Sequence, residues 1–185
     1  QLEVRVTAQL SHPNIVVVHD FGAEAGVPWI AYELLQGQCV AAMAAGQSLP
    51  LDTVLAVGAQ VARALACAHA AGVLHRDIKP DNVIAASPGH YKVADFGIAR
   101  WSTASQVRTA TGIILGTPHY IAPEIIHGQD PSPASDLYAL SVMLYELTTG
   151  AYPFGGRNIM QILERQVTAR PAPLPPPQDD VPRAL

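Results

Sequence analysis

The chain has 185 residues, 49% hydrophobic and only 14% charged, with a net charge of −4. That size and apolar content suit one or two small domains with a buried core and exclude global disorder, and the negative balance excludes a phosphate-backbone binder, so no nucleic acid is expected as a partner. Cys39 and Cys67 have neither metal-ligand spacing nor a disulfide framework, so a reduced, cytoplasmic setting is expected.

Residues 1–10 read as a short helix with Leu2, Val6 and Leu10 on one stripe. Ser11-His12-Pro13-Asn14 ends it, because the residue before a proline avoids helical angles. Residues 15–18 and 29–32 read as strands, with Gly22-Ala23-Glu24-Ala25-Gly26 as the turn between them. Residues 51–71 form the clearest helix. Val54, Val57, Val61, Leu65 and Ala68 fall at helical spacing, and Gly72 stands where a left-handed cap belongs. This Ala-rich stretch comes closest to a membrane span, but Gln60, Arg63 and His69 interrupt it, so no membrane contact is expected from this segment. Residues 83–85 and 91–93 predict a hairpin across Ser87-Pro88-Gly89-His90. Residues 98–122 show little regular pattern, and loops this long in compact domains are functional or disordered. An apolar helix opens at Ser135-Asp136 and runs to Thr149-Gly150, and another spans about 158–166. Pro171, Pro173, Pro175, Pro176, Pro177 and Pro182 mark an irregular extended stretch.

The chemistry concentrates in His75-Arg76-Asp77-Ile78-Lys79-Pro80-Asp81-Asn82, followed by Asp95-Phe96-Gly97. A hydrophobic core has little use for so many polar side chains in one octet. Phosphoryl transfer needs a carboxylate beside the acceptor hydroxyl, a cation on the moving phosphate, and oxygen ligands for magnesium. Asp77 suits the first role and Lys79 the second. Asn82 and Asp95 suit the third, since magnesium takes hard oxygen ligands and completes its shell with water and phosphate.

These two motifs resemble the catalytic loop and the metal-binding triplet of the eukaryotic-type serine/threonine protein kinases, in their bacterial form. Lys79, two places after Asp77, is the serine/threonine form of the loop. The resemblance implies an α+β, protein-kinase-like bilobal fold. Residues 1–35 would be a partial N-lobe and residues 36–185 a mostly helical C-lobe, with the first three N-lobe strands and the final helices lacking. It implies ATP and Mg2+ or Mn2+ as cofactors, and protein substrates phosphorylated on serine or threonine. A second kinase domain is a candidate dimer partner.

The resemblance also assigns roles along the chain. Glu3 takes the place of the helix glutamate that holds a strand lysine on the nucleotide phosphates. Glu33 and Leu35 match the hinge residues whose backbone meets adenine, and Tyr32 the position that controls depth behind it. His75 would pack under the loop. Arg76 would pair with a phosphorylated residue of the activation segment, for which Thr109 and Thr111 have the right spacing before Gly116-Thr117. Thr117 would hydrogen-bond Asp77 and Lys79, and Glu124 closes the substrate-docking turn. Phe96 would be an apolar plug facing the Glu3 helix, and Gly97 would let the triplet rotate. Asp136 matches a buried aspartate that accepts backbone N–H groups of the catalytic loop.

Two departures qualify this reading. The only lysines are Lys79 and Lys92, and no glycine precedes Gly22, so neither the strand lysine nor the glycine-rich phosphate loop is present. A catalytically silent kinase-like binding module is therefore the alternative, and the isolated 185 residues are expected to bind ATP poorly. A small-molecule kinase of related fold is disfavoured by the long activation segment and by the docking turn from Gly116 to Glu124.

Overall fold

The computed structural model describes residues 10–96 and 117–175. The helix expected over residues 1–10, together with Glu3, Gly97, Thr109, Thr111 and the last prolines, lies outside the described residues. In chain order the elements are β1 (Val18–Glu24), β2 (Val27–Tyr32), α1 (Val40–Ala44), α2 (Leu51–Ala70), β3 (Val83–Ser87), β4 (His90–Val93), α3 (Pro123–Ile126), α4 (Pro133–Thr149) and α5 (Ile159–Thr168). Single 3-10 turns occur at Pro80–Asn82 and Pro118–Tyr120. Two antiparallel hairpins, β1–β2 and β3–β4, accompany the helices, which is the α+β mixture expected from the sequence.

Helix α2 forms because its apolar residues recur every three to four positions and so share one face. That face is the centre of the core: Val54, Val57, Val61, Ala64, Leu65 and Ala68 are all buried. Each large aliphatic side chain buried this way contributes roughly 1.5–3 kcal/mol. The helix packs against α4 and β4. Gly72 follows it at φ +73°, a left-handed angle that glycine adopts without a Cβ penalty. By length and mean hydropathy (1.4) α2 would be able to cross a membrane, but its apolar stripe is already spent on the core.

The first hairpin differs from expectation. Of residues 15–18, only Val18 belongs to β1. Instead the Val93 N–H donates to Asn14 O and the Val16 N–H to Val93 O, both at 2.9 Å, which lays residues 14–16 parallel to β4. The strand β1 then runs through the expected turn as far as Glu24. The actual turn is Ala25-Gly26, with φ +49° and +81°, and two such residues match the right-handed twist of the flanking strands. Gly22 answers to packing rather than turning, since a Cβ there would come within 2.7 Å of the Trp29 ring.

Helix α4 begins at Pro133, two residues earlier than expected. Ser135 Oγ accepts the Ser132 N–H at 3.2 Å, and Gly150 ends the helix at φ +72°. Helix α5 starts after Asn158, whose Oδ1 accepts the Gln161 N–H at 2.9 Å, as an N-cap should.

Candidate active site

The octet from His75 to Asn82 leaves α2 through Val73 and is held from beneath by α4. Asp136, in the first turn of α4, is buried. Its Oδ2 accepts the His75 N–H at 2.9 Å and its Oδ1 the Arg76 N–H at 2.8 Å. His69 Nε2, near the end of α2, lies 2.8 Å from the same Oδ2. Arg76 has φ +69°, a strained angle for a side chain with a Cβ. The carboxylate braces the loop where its backbone is least comfortable.

His75 is fully buried. Its Nε2 lies 2.8 Å from Ala94 O, and its Nδ1 accepts the Asp77 N–H at 3.2 Å. One neutral tautomer satisfies both contacts, with the proton on Nε2. Burial accordingly holds the imidazole below its ordinary pKa, against the opposing pull of Asp136, the Ala94 carbonyl, Asp77 and Asp95. Phe96 meets the ring edge-on at 4.6 Å between centroids.

Three expected site residues interlock. Lys79 Nζ donates to Asp77 Oδ2 at 2.8 Å. Asn82 Nδ2 donates to the Asp77 carbonyl at 2.7 Å and to Oδ2 at 3.0 Å. Among the described residues, no hydrogen bond reaches Asp77 Oδ1 or Asn82 Oδ1. Asp95 is tied to the same frame through its neighbour, because the Ala94 N–H donates to Asn82 O at 2.8 Å. Asp95 itself has φ +63°, which aspartate tolerates better than most residues. Its Oδ1 accepts the Tyr32 hydroxyl at 3.0 Å. Burial, then the Asp95 charge and this bond, raises the Tyr32 pKa well above its ordinary value, so the phenol stays protonated and donates. One carboxylate and one amide oxygen are a hard donor set that fits a magnesium ion completed by water and phosphate.

The stretch after β2 is fixed from both sides. Glu33 Oε1 accepts the Val17 N–H at 2.8 Å and Lys92 Nζ at 2.5 Å. Burial alone would raise the Glu33 carboxyl, but the Lys92 bond, the Val17 bond and the charges of Lys92 and His19 bring it below its ordinary value. Among the described residues, neither the Glu33 carbonyl nor the Leu35 N–H bonds another backbone group. Gly37 then passes so close to β3 that a Cβ would sit 1.6 Å from Ala85 O.

The family model of the protein kinase domain matches residues 1–182. This chain belongs to the protein kinase family. The kinase domain is 41% identical over 180 residues to serine/threonine-protein kinase PknA of Mycobacterium tuberculosis, covering 94% of this chain and 42% of that protein. It is 37% identical over 185 residues to serine/threonine-protein kinase PknL of the same species, covering 100% of this chain and 44% of that protein. A probable serine/threonine-protein kinase of Clostridium perfringens is 33% identical over 184 residues, covering 99% of this chain and 27% of that protein. The kinase domain thus spans less than half the length of these relatives. Protein kinases generally act on proteins and use ATP with Mg2+ or Mn2+.

Other expected residues of the kinase domain fall in different surroundings. Thr117 is half-buried just before the 3-10 turn, and among the described residues no hydrogen bond joins it to Asp77 or Lys79. Glu124 Oε1 accepts the Ser135 hydroxyl at 2.6 Å, joining the docking turn to α4. Gln166 on α5 donates Nε2 to Pro118 O at 3.1 Å and to His119 O at 2.5 Å, which fixes the same turn from the other side.

Sequence reasoning gave no role to Gln60, His69, Lys92 or Gln166. Gln60 Oε1 accepts Asn14 Nδ2 at 2.8 Å and the Tyr91 N–H at 2.9 Å, while its Nε2 donates to Gly89 O at 2.8 Å. A signal for it existed: Gln60 lies three residues after Val57, inside the buried stripe, where a polar side chain must find partners.

Proposed function

We propose that this chain is the core of a serine/threonine protein kinase that transfers the γ-phosphate of ATP to serine or threonine hydroxyls of proteins. The observation that carries the reading is the single hydrogen-bonded frame that unites Asp77, Lys79, Asn82 and, through Ala94, Asp95. Asp77 Oδ1 would orient the acceptor hydroxyl and take its proton. Lys79, already held at Asp77, would neutralise charge on the phosphate in flight. Asn82 Oδ1 and Asp95 would hold the divalent cation, whose contribution is to screen the phosphate oxygens. The Glu33 carbonyl and Leu35 N–H would read the adenine edge. Thr117 would approach Asp77 and Lys79 when substrate docks. Catalysis of this kind rests on positioning and electrostatics more than on covalent chemistry.

Regulation by the activation segment belongs to the same proposal. Phosphate on Thr109 or Thr111 would offer Arg76 a bidentate partner. The alternative, a silent binding module, draws on the lack of a strand lysine and a glycine-rich loop within these residues.

One experiment separates the two readings. The full-length protein, incubated with ATP and Mg2+, is expected to phosphorylate itself or a basic test protein on serine or threonine, with phosphate mapping to Thr109 or Thr111. Asp77→Asn is expected to lower that rate about 10³-fold while the fold is kept. Equal rates for the two proteins would remove Asp77 from the chemistry and favour the silent module.

A further inference from the structure

We infer that Tyr32 is a positioning residue for the divalent cation: its hydroxyl holds Asp95 Oδ1, so that the rest of the carboxylate is presented to the metal. The inference rests on the kinase reading above and goes beyond it by giving the phenol behind the adenine site a task in metal binding.

Asp95 is an exposed side chain on a backbone that is already fixed. Its φ is +63°, and the preceding residue is pinned at both polar groups, N–H to Asn82 O and carbonyl to His75. Its carboxylate is less constrained. Among the described residues, the Tyr32 hydroxyl at 3.0 Å is the one hydrogen-bond donor that reaches it. Without that bond, an exposed aspartate would sample several rotamers, and a metal would have to select one.

Tyr32 is well suited to end that freedom. It is the last residue of β2, paired with Val18 across the hairpin. The next residue, Glu33, is clamped to Val17 and to Lys92, and Lys92 lies on β4, three residues before Asp95. The phenol is thus delivered from a backbone anchored to the same strand that delivers its target. A tyrosine ring has only two torsions to freeze. An ionised carboxylate offers about four lone-pair sites, so one bond to Oδ1 leaves Oδ2 and further capacity for a cation. Carboxylates that bind metals are commonly oriented by an outer hydrogen-bond partner, and loss of such a partner weakens metal binding 10–100-fold.

The placement also links two halves of the nucleotide site. The segment that would meet adenine through Glu33 and Leu35 carries, one residue earlier, the hydroxyl that fixes the phosphate-side ligand. A shift of that segment would move Asp95.

The test is Mn2+ binding to the full-length protein in the presence of ADP, read from the electron paramagnetic resonance signal of free Mn2+, for wild type, Tyr32→Phe, Tyr32→Met and Asp95→Asn. Tyr32→Phe is expected to weaken Mn2+ about tenfold while metal-free ADP affinity stays at the wild-type level. Tyr32→Met, which also deletes the ring, is expected to lose the same amount if the hydroxyl carries the effect. Unchanged or tighter Mn2+ binding by Tyr32→Phe, with binding lost in Asp95→Asn, overturns the role of Tyr32 and leaves the kinase reading standing. An equal loss of metal-free ADP affinity also overturns it, since the residue would then be shaping the nucleotide pocket. Unchanged binding by Asp95→Asn removes the metal site and both readings with it.

Discussion

The catalytic loop and the hairpin that precedes it are built on opposite plans. In the loop, the polar groups stand on a buried frame: His75 is 0% exposed, Asp136 2% and Asn82 8%, and each has partners. In the hairpin and the stretch after it, large apolar side chains face outward, with Val27 67% exposed and Leu34 89%. Polar ties between that half and the rest are Tyr32 to Asp95 and Glu33 to Lys92. The contrast teaches where rigidity is located. The loop is braced from beneath by buried groups, His75, Asn82 and Asp136, whereas the hairpin side is held by Tyr32–Asp95 and Glu33–Lys92 bonds that water competes for.

The comparison can be broken most sharply at Asp136. Asp136→Ala would strand the His75 and Arg76 N–H groups, buried or partly so, and release His69, so a loss of about 3 kcal/mol is expected by urea unfolding. Its kcat should fall more than its KM for ATP, because the loop and not the hinge is loosened. Wild-type stability in this variant would show that the frame is not what holds the loop.

Acidification probes the same frame more gently. The folded pKa of His75 is lowered by burial from an ordinary value of 6.5, so the unfolded chain binds the proton more readily. The stability that the neutral ring provides is therefore complete above about pH 6.5 and is lost as pH falls from there through the lowered folded value. Unfolding midpoints measured across that window should drop for wild type and drop less for His75→Gln. Parallel curves would assign the proton to another group.

The smallest effect is expected on the hairpin side. Lys92→Met removes the tie to Glu33, whose side chains are 13% and 22% exposed respectively. For a pair within reach of water, the expected loss is about 1 kcal/mol or less, with KM for ATP rising and kcat little changed. A cost as large as that of Asp136→Ala would erase the distinction between the two halves.

Much of the candidate site was legible in residue type and spacing. Asp77, Lys79, Asn82 and Asp95 are polar residues packed at a density that no core needs, and the reaction they suit leaves few alternatives. The helices α2, α4 and α5 were visible because burial along one face imposes a periodicity. The support structure was harder to read. Gln60 and His69 looked like interruptions of an apolar run, because partners 46 and 67 residues away in sequence leave no local trace. The hairpin was placed several residues off, because Gly22 fits a turn as well as it fits the space beneath Trp29, and only packing distinguishes the two.

The order of residues alone pointed to the candidate site residues and to which stretches become helices, since both depend on residue type and short-range spacing. Tertiary structure decided how those side chains are aimed. Which ring nitrogen of His75 faces Ala94 and which phenol reaches Asp95 depend on contacts between segments far apart in the chain. Such contacts are set by how the whole core closes, and no short window of sequence contains them.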